Sequence, residues 1–159
     1  MSTARARANH KLYLARILLD AWQAALEAQE VPARTLHQAF ATSVRAHLLE
    51  SYGWFLLEIC QPASLPPVPP HHTGQLPAIT EGKAMPGEIR EFTALEREGW
   101  LAELLAERDE WATQSSRRAG APSSLASPET TQPGPDLLAH WAGQLESLFD
   151  RMGDSLDEY

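Results

Sequence analysis

The sequence predicts an all-α protein, an antiparallel four-helix bundle with two long proline-rich connections. Two observations carry this expectation. Four stretches repeat apolar residues at steps of three or four, the period of a helix face, and none alternates as a strand would. Between the second and third stretches, and again between the third and fourth, proline and glycine crowd together and leave no room for a regular element.

The best-defined element is Leu36–Cys60, a long segment without proline. Leu36, Phe40, Val44, Leu48, Tyr52, Phe55 and Ile59 make one apolar face, which Leu49, Leu56 and Cys60 widen. So broad a face predicts contact with more than one neighbour. At about 1.5 Å per residue, roughly 25 residues span about 38 Å, the long axis of a small bundle. Gly53 stands among Tyr52 and Trp54 in the middle of this helix, where glycine costs about 1 kcal/mol relative to alanine. It reads first as room for a close approach by Trp22 or Trp100, with a small pocket as the alternative.

In chain order, the expected helices cover about 6–29, 32–60, 93–114 and 136–156, joined by linkers 61–90 and 115–135, all within one domain of 159 residues. Helix one carries Leu12, Ala15, Leu19, Trp22 and Leu26, with Thr3 and Asn9 both available as caps. Pro32 suits the first turn of helix two, and so short a link predicts an antiparallel hairpin. Pro66–Pro70 suggests a stiff extended segment. Helix three is expected to begin at Thr93, which with Glu96 has capping-box spacing, and to be strongly acidic. Helix four follows Pro133 and Pro135, with Asp136 as cap and Leu137, Leu138, Trp141, Leu145, Leu148, Phe149, Met152 and Leu156 as its stripe.

Composition bounds function. The net charge is -8, with six basic and five acidic side chains in residues 1–60 and seven and sixteen in 61–159. Such an acidic field repels phosphate backbones and anionic lipid, so neither nucleic acid nor membrane is the expected partner. Arg5, Arg7, Lys11 and Arg16 form a small basic group that reads as a solvated helix face. With no apolar run of membrane-spanning length and no apolar centre near the N-terminus, the expected location is cytoplasmic. The single cysteine, Cys60, rules out an internal disulfide and the usual cysteine-based metal sites, and reads as a small buried residue.

Candidate chemistry is sparse. No histidine has a glutamate three residues before it, so the di-iron bundle pattern is missing, as is His-Glu-x-x-His. His71 and His72 lie adjacent on the proline-rich linker without a third fixed ligand, so no metal or cofactor is expected. His47 sits beside the apolar face of helix two and reads as a neutral imidazole with one partner. Arg5 and His10 have the five-residue spacing used by small helical RNases, but at the start of the chain rather than at the end of a core helix.

The pieces NHKLYLARILLDAW (Asn9 to Trp22), RAHLLESYGWFLLEIC (Arg45 to Cys60), LEREGWLAELL (Leu95 to Leu105) and LLAHWAGQLESLFDRM (Leu137 to Met152) resemble a family of small uncharacterised gammaproteobacterial proteins, domains of unknown function with four predicted helices. The resemblance implies an all-helical fold in a bacterial cytoplasm and brings no catalytic residues.

The function expected first is therefore a noncatalytic protein-interaction module, in which partner binding or self-association uses tryptophans such as Trp54, Trp100 and Trp141 as anchors. The alternative is a small-ligand-binding or enzymatic bundle with a cavity near Gly53, polarised by His47 or Glu50. An RNase-like bundle using Arg5 and His10 is the third.

Overall fold

The structure, a computed structural model, describes residues 3–76, 86–106 and 134–157. All regular elements within them are helical: α1 (Ala4–Ala28), α2 (Ala33–Cys60), α3 (Gly87–Glu98), α4 (Trp100–Leu105) and α5 (Pro135–Asp157), with one 3-10 turn at Thr73–Gln75.

Of the two candidate caps for α1, Thr3 is the one used: its hydroxyl accepts the Ala6 N–H at 3.1 Å. The helix buries Ala4, Ala8, Leu12, Ala15, Leu19 and Trp22, a stripe rich in small residues that lets α2 approach closely. It ends at Gln29, whose left-handed φ of 53° closes the last turn on Leu26. Pro32 precedes the first turn of α2 rather than lying in it. The two helices run antiparallel, as expected. Ser51 donates to the Ala8 carbonyl at 2.8 Å near one end of the pair, and Trp22 stacks on Phe40 at 6.0 Å near the other.

From Ser51 to Leu57 every residue of α2 is buried, so this stretch is enclosed on all sides. Each side has its own neighbour. Ser51 faces α1, and Tyr52 meets Phe92 of α3 edge-on at 5.2 Å. Gly53 faces the proline-rich segment, while Phe55 stacks on Phe149 of α5 at 4.0 Å. Helix α5 supplies Leu138, Trp141, Ala142, Leu145, Leu148, Phe149 and Met152 to the core. Its first helical residue is Pro135, so Asp136 lies in the first turn instead of capping it.

The expected helix over 93–114 is replaced by two shorter ones. Helix α3 starts six residues early, behind Pro86, so Thr93 lies inside it. There the Thr93 hydroxyl donates back to the Ile89 carbonyl at 2.8 Å and caps nothing. A break follows at Gly99, whose added Cβ would lie 2.8 Å from Leu95 Cδ2 and 3.0 Å from the Leu95 carbonyl oxygen. A side chain there would collide with the turn just ended. Helix α4 then buries Leu101 and Leu104, and its open C-terminal carbonyls are taken by Arg45 of α2: Nε donates to Leu104 O at 2.9 Å, and Nη2 lies 3.3 Å from both Leu105 O and Ala106 O. Residues 107–114 of the expected helix, Trp111 among them, lie outside the described residues.

Candidate functional site

A groove of about 420 Å³ lies where α1, α2 and residues 67–71 meet. Its geometry begins with Gly53. A Cβ at that position would stand 2.1 Å from the Pro70 carbonyl oxygen and 3.0 Å from Pro69 Cβ, so only glycine admits the proline-rich segment this close to α2. The close approach expected there is real, but the partners are Pro69 and Pro70 rather than Trp22 or Trp100. Pro67, Val68, Pro69, Pro70 and His71 form one wall, Leu49, Glu50 and Trp54 of α2 the floor, and Arg7, His10 and Lys11 of α1 the other wall.

The far end of the wall is held by Glu96 of α3. Its Oε1 accepts from the Tyr52 hydroxyl at 2.5 Å and from the Thr73 N–H at 2.8 Å, and its Oε2 accepts from the Thr73 hydroxyl at 2.7 Å. The Thr93 hydroxyl oxygen, whose hydrogen goes to Ile89, lies 3.1 Å from that of Thr73. Glu96 thus acts through tertiary contacts, tying the segment after Pro70 to α2 and α3. Burial first, then the hydrogen bond to Glu96 and its charge, push the Tyr52 phenol far above its ordinary pKa.

On the α1 wall, Arg7, His10 and Lys11 share a face because they are three and four residues apart. The Arg7 guanidinium lies over the Trp54 ring, 4.6 Å from its centroid, and no carboxylate among the described residues pairs with it. Lys11 pairs with Glu50 at 2.7 Å, so the acid of the floor is already neutralised. His47 lies behind this pair. Burial and the Lys11 charge, with a smaller part from His10, lower its pKa against an opposing effect of Glu50, and its Nδ1 is buried without a hydrogen-bond partner.

The remaining candidate residues fall elsewhere. Trp141 is 1% exposed in the core, and Trp100 is half-buried at the start of α4. Trp54 is 5% exposed, a floor beneath Arg7 rather than a projecting anchor. Arg5 and His10 do not share a site: the Arg5 backbone N–H donates to Glu58 at 3.2 Å and its guanidinium lies beside Gly153 of α5, whereas His10 lines the groove with Arg7. The Cys60 thiol is half-buried, and burial raises its pKa. Sequence reasoning read Arg7 and Lys11 as a solvated basic face and Pro69 and Pro70 as part of a stiff linker, and assigned none of them to a site. The spacing of Arg7 and Lys11 was visible, but their seat beside Trp54 is a tertiary fact.

A second hollow of about 340 Å³ between α1 and α5 is bordered by the Arg16–Glu146 pair at 2.5 Å, in which each charge meets its opposite. No helix among the described residues is long and apolar enough to cross a membrane. No group of three His, Cys, Asp or Glu side chains among them is placed to hold a metal ion.

Residues 1–159, the whole chain, match the model of a family of unknown function, DUF6586. The chain belongs to that family. Neither the curated proteins nor the solved structures provide a match. Membership agrees with the expected resemblance in one respect, that the family is one of unknown function, and it assigns no activity to the groove.

Proposed function

We propose that this protein is a noncatalytic binding module, a single bundle-like helical domain of the bacterial cytoplasm, and that the groove beside Trp54 is where it holds a segment of a protein partner. The observation that carries this reading is Arg7, stacked on Trp54 with its N–H donors uncommitted to any described carboxylate, at the mouth of a hollow walled by prolines. Volumes of a few hundred Å³ with apolar walls and a few polar groups are typical of ligand sites. Binding is favoured over catalysis because Glu50, the acid available to the groove, is committed to Lys11.

Site-specific photo-crosslinking tests this. Val68 is 64% exposed at the rim, and Ile17, 46% exposed and outside the lining residues, serves as the control. A photo-reactive residue at Val68 should capture one defined partner, capture at Ile17 should be weak, and Gly53→Leu should abolish capture at Val68 by displacing the proline wall. Equal capture from both positions, or capture that survives Gly53→Leu, would rule the groove out as the binding surface.

A further inference from the structure

The charge pattern of the groove says more than its shape. In a chain of net charge -8, the α1 wall presents Arg7, His10 and Lys11 together. Lys11 is balanced by Glu50, which leaves the Arg7 fork and the exposed imidazoles of His10 and His71 as the donors facing an incoming group. The opposite wall offers no N–H donors from Pro67, Pro69 or Pro70, so an extended peptide cannot pair its backbone there as an added strand would. Recognition must come from side chains: an anion at the α1 wall and an apolar group against the proline wall and Val68. About 420 Å³ holds roughly three residues, about 10 Å of extended chain.

We infer that the groove takes a short acidic segment of a protein partner, in which a Glu or Asp carboxylate pairs with Arg7 and His10 and a neighbouring large aliphatic side chain packs against Val68 and the prolines. The inference rests on the groove being the binding surface, as proposed above. A forked guanidinium suits a carboxylate, which it can meet with two parallel hydrogen bonds. A single-stranded nucleic acid is disfavoured on two grounds. Trp54 is 5% exposed beneath Arg7, so its ring offers no face on which a base could stack, and the acidic chain repels a polyanion more than a segment carrying one or two charges.

The test is a titration of the full-length, nitrogen-15-labelled protein with acetyl-Leu-Glu-Leu-Glu-amide, its Gln-for-Glu and Lys-for-Glu analogues, and a hexamer of oligo-dT, at low and moderate salt. The acidic peptide should shift Arg7, His10, Lys11, Val68, His71 and the Trp54 indole, and bind about tenfold more tightly than the Gln peptide, the equivalent of one charged pair. The preference should shrink with salt. Arg7→Gln should bring the acidic peptide down to the level of its Gln analogue with the remaining spectrum unchanged, and Arg7→Lys should keep part of the preference. Groove shifts of equal size for Glu, Gln and Lys peptides would overturn the acidic specificity while leaving the groove as the binding surface. Shifts by oligo-dT but by no peptide would overturn the inference, and peptide-induced shifts confined to other surfaces would overturn the groove reading as well.

Discussion

Tyr52 donates its phenolic hydrogen to Glu96 Oε1 at 2.5 Å, and the same carboxylate takes both the N–H and the hydroxyl of Thr73. One side chain of α3 therefore fastens the middle of α2 to the segment just after Pro70. Tyr52→Phe should cost about 1.5 to 3 kcal/mol, the worth of a hydrogen bond to a charged group. Glu96→Ala should cost more, because it strands the buried Tyr52 hydroxyl and releases Thr73 together. Urea unfolding of both variants checks the order.

The same bond sets a pH response. The Tyr52 phenol is fully buried and its pKa is raised, burial being the largest cause. In the unfolded chain the phenol ionises near its ordinary value of about 10, while in the folded chain it stays protonated. The stability is therefore fully present below about pH 10 and lost as pH rises above it, by at most about 1.4 kcal/mol per pH unit from this group. Unfolding free energies between pH 9 and 11 should fall in the wild type, and more steeply than in Tyr52→Phe.

Gly53→Ala places a methyl group 2.1 Å from the Pro70 carbonyl oxygen. Overpacking of this kind costs about 1 to 3 kcal/mol, and the better helix propensity of alanine returns up to about 1 kcal/mol. A small net loss of stability is expected, with the main effect on residues 67–71 as they are pushed from α2. Amide exchange at Val68 and His71 should quicken while the Trp22 end of the α1–α2 pair is unchanged.

Arg45 satisfies the carbonyls of Leu104, Leu105 and Ala106, closing a helix of six residues that cannot hold itself in water. Arg45→Ala should cost about 1 to 3 kcal/mol and expose α4 to exchange before the other helices. Leu104→Ala, at a fully buried position, should cost about 2 to 5 kcal/mol. If both variants melt as the wild type does, α4 is not docked on α2.

Helices α1, α2 and α5 were legible because long periodic stripes leave few alternatives: Leu36, Val44, Leu48, Tyr52, Phe55 and Ile59 are all buried where the period puts them. Helix α3 was misjudged because Thr93 and Glu96 have the spacing of a cap, whereas Thr93 bonds back to Ile89 inside the helix and Glu96 reaches across to Tyr52 and Thr73. Local spacing cannot distinguish those uses. The groove was half legible. Gly53 signalled a close approach, but which segment approaches depends on where a proline-rich connection settles, and no periodicity encodes that. Trp54 signalled an aromatic at a surface, yet the cation that covers it lies 47 positions earlier.

The groove exists because Pro69 and Pro70 are seated on Gly53, so the most direct measurement is a nuclear Overhauser spectrum of the full chain focused on the Gly53 α-protons. The account predicts strong cross-peaks from them to Pro69 and Pro70, lost in Gly53→Leu. Gly53 α-protons that see only α2, with Pro67–Pro70 at the shifts of an unstructured chain, would contradict it and remove the wall on which the binding proposal depends.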